Sequence, residues 1–198
     1  MGQYFDNDSS LKSEIVKHNI DICGISFVFY TDNGVFSKSK LDYGTRFLLE
    51  CLSSFPIGKN VLDVGCGYGP IGIYLSKAFG CNVDMVDVNK RAIHLANMNI
   101  KENNVSCHAF YSDCYSDVSS KYNTIITNPP IRAGKKVIYE IVMKAVNYLK
   151  DDGTLYIVIR KDQGAKSMIS DLEKIYNVSI VGKSKGFFVI KCEKLLTS

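Results

Sequence analysis

The hydrophobic rhythm of the chain changes twice along its 198 residues. Residues 14–20 and 24–30 are short runs bearing Ile, Val, Phe and Tyr, with Asp21 and Gly24 in the connection, and they read as two strands. Asp32-Asn33-Gly34 is a turn signal. From 43 to about 55 the apolar spacing Phe47, Leu48, Cys51, Leu52 predicts a helix, which Pro56 and Gly58 stop. From residue 60 onward strands and helices alternate. Strands are expected at 60–64 and 81–86, separated by a helix over 71–79 that ends at Gly80. A helix over 90–102 carries Ala92, Ile93, Ala96 and Ile100 on one stripe, and strands at 105–110 and 124–127 follow. The chain closes with a helix over 137–149, a strand at 154–159 opened by Gly153, and a helix over 165–175. Two last strands, 178–181 and 187–191, are joined through Gly-Lys-Ser-Lys-Gly. Such alternation with short loops implies an α/β fold: a seven-stranded, mainly parallel sheet with helices on both faces. The last hairpin is too short for a crossover, so it must add an antiparallel strand.

The segment Val61-Leu-Asp63-Val-Gly65-Cys66-Gly67-Tyr-Gly69-Pro-Ile-Gly72 sends an apolar strand through three alternate glycines into a helix. Glycine there permits a tight turn and lets the backbone approach a ligand. A dinucleotide fingerprint has its third glycine three residues after the second, and Pro70 occupies that place. Asp63, two residues before the first glycine, would repel a pyrophosphate; it suits a ligand carrying an amino group and a sulfonium. The next strand ends at Asp87, where a carboxylate can accept both hydroxyls of a ribose. A third ends in Ser112-Asp113, placed to meet an adenine edge. Three acids at the ends of three successive strands make the glycine signal specific.

These motifs, with Val-Asp-Val-Asn at 86–89, Ser-Asp-Cys-Tyr at 112–115 and Asn-Pro-Pro-Ile at 128–131, resemble class I S-adenosylmethionine-dependent methyltransferases. More narrowly the chain resembles the small-domain family of ribosomal-RNA guanine-N2 methyltransferases and their single-domain relatives. The likeness runs from Gly-Val-Phe-Ser (34–37) to Lys-Gly-Phe-Phe-Val-Ile-Lys (185–191). It implies a Rossmann-like fold with S-adenosyl-L-methionine as cofactor. It also implies that Phe36, Ser37, Asp42, Gly44 and Thr45 help cover the cofactor, and that Asp63, Gly65, Cys66 and Gly67 line its methionine end. Asp87 and Val88 would hold the ribose, Asp113 and Cys114 would meet the adenine, and Asn128 would border the reacting methyl group. The expected layout is one methyltransferase domain over 1–198. Within it, residues 1–58 form an extension with a short β-hairpin and a cofactor-covering helix, and 59–198 form the catalytic core.

Asn128, Pro129, Pro130 and Ile131 are the catalytic candidates. An exocyclic amine is a poor nucleophile because its lone pair is delocalised. Two acceptors, the Asn128 side-chain oxygen and a main-chain carbonyl such as that of Pro129, would each take one N–H and turn the lone pair toward the methyl group. The prolines supply no competing N–H. Members of the family usually place an aromatic where Ile131 stands, so stacking on the target ring is weaker here.

Charge adds a polarity to this picture. Residues 1–129 carry 11 Lys/Arg against 13 Asp/Glu, whereas residues 130–198 carry 13 against 7. Arg132, Lys135, Lys136, Arg160, Lys161, Lys183 and Lys185 are therefore candidates for RNA phosphates around a base flipped into the pocket. The partner expected on these grounds is ribosomal RNA or the small ribosomal subunit. Seven scattered cysteines without a Cys-x-x-Cys pair point to reduced thiols in the cytoplasm, with no metal. The first residues do not read as a signal peptide, and no apolar run is long enough for a membrane helix. A glutamine amide of a protein, a small-molecule amine, or a catalytically silent RNA-binding or assembly module remain as alternatives.

Overall fold

The computed structural model describes residues 14–32, 41–129 and 133–195. Strands β1 (Val16–Ile22) and β2 (Ile25–Thr31) pair antiparallel as a two-stranded sheet of their own. Their turn uses Cys23 and Gly24 at φ 51° and 78°, and the Asp21 side chain accepts the Gly24 N–H at 3.0 Å. Asp21 thus belongs to the strand rather than to the connection. Helix α1 (Tyr43–Leu52) starts at an N-cap Asp42 whose carboxylate accepts the Thr45 N–H.

The core then runs β3 (Asn60–Val64), α2 (Pro70–Phe79), β4 (Asn82–Asp87), α3 (Lys90–Asn103), β5 (Cys107–Tyr111) and β6 (Tyr122–Thr127). It continues through α4 (Gly134–Lys144), β7 (Leu149–Arg160), α5 (Ala165–Leu172), β8 (Tyr176–Ser184) and β9 (Phe187–Lys194). The sheet order is β5-β4-β3-β6-β7-β9-β8, and only β9 runs against the others. Crossovers proceed outward from β3 in one direction and from β6 in the other. A crevice therefore opens at the carboxyl ends of β3 and β6.

Side-chain alternation builds two apolar layers. Val61, Met85, Ile126, Tyr156 and Val158 face α1, α2, α3 and the β1–β2 hairpin. Leu62, Val86, Ile125, Leu155 and Ile157 face α4 and α5. A polar residue within either layer needs a partner, and two threonines of β6 find theirs on neighbouring backbone. Thr124 Oγ1 donates to the Ile57 carbonyl at 2.6 Å and Thr127 Oγ1 to that of Val64 at 2.8 Å.

Three expected boundaries move. The helix expected to reach residue 149 ends at Lys144, followed by a 3-10 turn over Ala145–Asn147, and β7 begins five residues earlier than expected. Tyr122 pairs with Leu149 and Thr124 already with Thr154, so Asp151-Asp152-Gly153 is an outward bulge inside the strand. A Cβ on Gly153 would lie 2.9 Å from the Lys150 carbonyl oxygen, so glycine permits the fold-back. Similarly, β8 extends through Gly182, which the sequence marks as loop. A side chain there would strike Cys51 and Phe47; the glycine lets α1 lie against the sheet.

Candidate active site

The glycine loop is shaped by β4 as much as by its own residues. The N–H groups of Gly65 and Cys66 both donate to the Val86 carbonyl, at 2.8 and 3.0 Å, which turns the chain at the end of β3. Gly65, Gly67 and Gly69 all take positive φ. They are not equivalent. A Cβ on Gly69 would meet the Met85 side chain at 2.5 Å, whereas one on Gly67 would meet nothing within 4 Å. Gly69 serves packing against β4, and Gly67 faces open space at the crevice.

Asp63 is fully buried in β3, and its Oδ2 accepts the Gly72 N–H at 3.2 Å. Its Oδ1 and the Tyr68 Oη are the two buried side-chain polar atoms without a partner among the described residues, and both belong to the glycine segment. Burial pushes the Asp63 carboxyl up to about 7, and the neighbouring Asp87 adds to the rise, while the Gly72 N–H opposes it. An apolar enclosure with an idle carboxylate oxygen is what a positively charged ligand group relieves. Asp87, at the end of β4, accepts the Gly67 N–H at 2.9 Å through Oδ2 and the Asn89 N–H at 2.8 Å through Oδ1. Burial also raises this carboxyl, and those N–H groups pull against the rise. The Val88 N–H also bonds to this carboxylate, which keeps acceptor capacity for a hydroxyl donor.

Beyond β5 the chain turns through Ser112, whose hydroxyl donates to the Cys114 carbonyl at 3.0 Å and accepts the Asp117 N–H at 3.1 Å. Cys114 takes φ 50° in this turn, and the side chain of Asp113 stays exposed. A cavity at this point is lined by Gly65, Asp87, Val88, Ser112, Asp113 and Cys114, and closed from the other side by Ala133, Val137 and Ile141 of α4 and its approach. The sequence reasoning missed this α4 wall, although Val137 and Ile141 stand one helical turn apart on one face. The cavity suits a flat, mainly apolar ring with polar atoms toward Asp113.

Asn128 leaves β6 at the same edge. Its Nδ2 donates to Asp42 Oδ1 at 3.2 Å and to Thr45 Oγ1 at 2.9 Å, both in the first turn of α1. Gly44, between them, packs against Phe187, whose Cε1 lies 3.0 Å from where a Cβ would stand. Pro129 is buried. Of the expected site residues, Phe36, Ser37, Pro130, Ile131 and Arg132 lie outside the described residues.

The cations expected around the site divide by environment. Lys135 and Lys136 open α4, Arg160 ends β7 with Lys161 just after it, and beside them Lys183 lies near the end of β8 and Lys185 in the turn that follows. All six are exposed. Arg160 makes two hydrogen bonds to Asp162, at 3.0 and 2.8 Å, while Lys185 Nζ sits 4.7 Å over the Tyr43 ring and Lys183 Nζ 5.5 Å over that of Phe188. Among the described residues no group of three or more His, Cys, Asp or Glu could hold a metal ion. No helix in them is long and apolar enough to cross a membrane.

A family model for the methyltransferase small domain matches residues 26–191. The chain belongs to the methyltransferase small-domain family. YbxB of Bacillus subtilis, an uncharacterized protein, is 42% identical over 197 residues, covering 97% of this chain and 98% of that one. The ribosomal RNA small subunit methyltransferase C of Psychromonas ingrahamii is 35% identical over 164 residues, covering 80% of this chain and 46% of the relative. The chain thus spans nearly all of the first relative and about half of the second. Among solved structures, a T. thermophilus 16S rRNA N2 methyltransferase in complex with AdoMet and guanosine superposes with a TM-score of 0.84 at 24% identity. The match covers 96% of this chain and 53% of that chain, and it establishes the Rossmann-like methyltransferase fold. In this family setting the crevice is that of an S-adenosylmethionine-dependent methyltransferase. The idle Asp63 oxygen, the open cradle at Gly67 and the remaining acceptor capacity of Asp87 fit that cofactor.

Proposed function

We propose that the chain methylates the exocyclic N2 of guanine in small-subunit ribosomal RNA. The observation that carries this reading is the Asn128 amide: both hydrogens of Nδ2 are engaged at the start of α1, which leaves the Oδ1 end of the amide to accept from the amine. When bound, S-adenosylmethionine supplies an electrophilic methyl group on sulfur. Asp63, Gly65, Cys66 and Gly67 hold the methionine end, Asp87 and Val88 the ribose, and Asp113 and Cys114 the adenine. The acceptor lies farther along the same edge, over β6 and β7. There Asn128 Oδ1 accepts one N–H of the amine and the Pro129 carbonyl accepts the other, so that the lone pair points at the methyl carbon. Fixing distance and angle in this way removes much of the barrier, and the methylated nitrogen then releases one proton to solvent. Pro130 and Ile131 follow Pro129 in sequence.

The positive edge supports an RNA acceptor. Lys135, Lys136, Arg160, Lys161, Lys183 and Lys185 lie at the carboxyl edge that carries Asn128, and Arg132 follows the loop in sequence. They contact phosphates around a base turned out of its stack. Arg160, tied to Asp162, contributes least. The relatives named for ribosomal RNA methylation support the same substrate. Free cysteines throughout suit a reducing cytoplasm.

Transfer of a tritiated methyl group to ribosomal RNA, to small subunits and to total protein tests the reading, with Asn128→Ala as control. Label at guanine N2, lost in the variant, is the expected result. Label in protein alone, or binding of cofactor with label nowhere, overturns it.

A further inference from the structure

We infer that Asp42 and Thr45 are positioning residues: they lock the Asn128 amide so that its oxygen, rather than its nitrogen, meets the acceptor amine. An amide side chain has two faces of opposite chemistry, and a half-turn about its last bond exchanges them. For an exocyclic amine this exchange is decisive. Oδ1 can accept an amine N–H, whereas Nδ2 would present a donor to a donor. The structure removes the choice. Asp42 Oδ1 already accepts the Thr45 N–H, so the group 3.2 Å from it is the donating amide nitrogen. The second hydrogen of Nδ2 meets Thr45 Oγ1 at 2.9 Å. A flipped amide would set Oδ1 against the carboxylate.

The lock is built into the start of a helix. Asp42 Oδ1 also accepts the Thr45 N–H at 3.0 Å, so the capping interaction that begins α1 fixes both acceptors together. Thr45 is buried, which keeps water from replacing its hydroxyl. Gly44 lets Phe187 close on this turn, and the hydroxyls of Tyr43 and Ser184 lie 2.6 Å apart, clipping it to the β8–β9 hairpin. The family resemblance assigned Asp42 and Thr45 to covering the cofactor. Their hydrogen bonds lead also to the Asn128 amide.

This inference rests on the proposed reaction, so its test includes one readout that needs no substrate. In Thr45→Val, methyl transfer to RNA should fall about tenfold to a hundredfold in kcat, with cofactor affinity by calorimetry within twofold of the parent. Thr45→Ser should restore the rate to within threefold. In nitrogen-15 spectra, with Asn128→Asp to identify the signals, the Asn128 side-chain amide protons should exchange with water at least tenfold faster in Thr45→Val. Should that variant fail to fold, Asp42→Ser carries the same measurements, since serine keeps a helix cap but not the carboxylate. A loss of cofactor affinity above tenfold with kcat unchanged would overturn the positioning role in favour of cofactor cover. Unchanged exchange of the Asn128 amide would overturn the lock itself. If the parent methylates no acceptor, the proposed function fails, and the exchange rates still decide whether the amide is locked.

Discussion

Two sets of asparagine amides in this molecule do opposite things with the same group. On α3, Asn99 and Asn103 stand one turn apart and grip β2. The Asn99 amide accepts the Tyr30 N–H at 2.7 Å and donates to the Tyr30 carbonyl at 3.0 Å, while Asn103 does the same with Val28 at 3.1 and 2.7 Å. An amide offers the donor and acceptor of a peptide unit, so the helix continues the ladder along an edge that would otherwise be open. Their remaining hydrogens are used as well, Asn99 on the Tyr68 carbonyl at 2.8 Å and Asn103 on that of Asn99 at 2.9 Å. Among the described residues Asn128 bonds through its nitrogen end alone. An amide satisfied at both ends holds architecture together; one satisfied at a single end keeps the other for a ligand.

The largest effect that could break this contrast is at Asn128. Replacing it with alanine removes an acceptor aimed at the reacting amine. The rate should fall by about a hundredfold to a thousandfold, roughly 3–4 kcal/mol of barrier, while the unfolding free energy in urea moves by less than about 1 kcal/mol. Asn99→Leu should do the reverse. It strands the Tyr68 carbonyl in a buried place and the Tyr30 N–H and carbonyl in a partly buried one, and a loss of roughly 2–3 kcal/mol of stability is expected from such unmet groups. The rate per folded molecule should stay within threefold. A stable Asn99→Leu protein with poor turnover would erase the distinction.

A third test concerns a buried carboxyl. The Asp63 carboxyl rises from an ordinary value of 3.8 to about 7, chiefly through burial. Its folded value lies above its unfolded one, so the folded state holds the extra proton. Stability from this group is fully present below about pH 4 and lost as pH climbs toward and through 7. Between pH 5 and 7 the ligand-free protein should lose roughly 2 kcal/mol, measured by urea unfolding at each pH. Asp63→Asn should flatten that slope. Binding of a ligand with an ammonium group favours the ionised form, so cofactor affinity should rise over the same interval and protons should be released on binding. A flat profile in the parent would show that Asp63 already has a partner.

How much of this could be read before folding follows from where the information resides. The strand-end acids and the glycines are local signals, and Asp63, Gly67, Asp87 and Asp113 stand on one edge because each lies at or just beyond the end of a strand of a parallel sheet. Two devices were invisible. The α3 asparagines belong to a polar helix face that looks solvated, because their partners lie about 70 residues earlier. Likewise, Asp42 and Thr45 carry only a helix-start signature, and their second task exists once β6 brings Asn128 across 83 and 86 residues of chain. The misplaced start of β7 has the same origin. Asp151-Asp152-Gly153 has the chemistry of a turn, and only pairing with β6 decides that the strand resumes across it.

The smallest effect sharpens the contrast from inside. Asn103 repeats the bonding of Asn99 to β2 nearly atom for atom, yet it is only half-buried whereas Asn99 is fully enclosed. If satisfied amides matter here because an unmet group would be sealed from water, exposure should set the size of the loss. In Asn103→Ala water can reach the Val28 N–H and carbonyl, and the deficit should shrink to about 1 kcal/mol, the net worth of a solvent-accessible hydrogen bond. Asn99→Ala should still lose at least twice as much, since Asn99 is fully buried and its bond to the Tyr68 carbonyl is enclosed. Parallel urea titrations of the two alanine variants decide the matter. Equal losses would mean that the amides act through helix packing rather than through the edge of β2, and the comparison with Asn128 would then lose its physical basis.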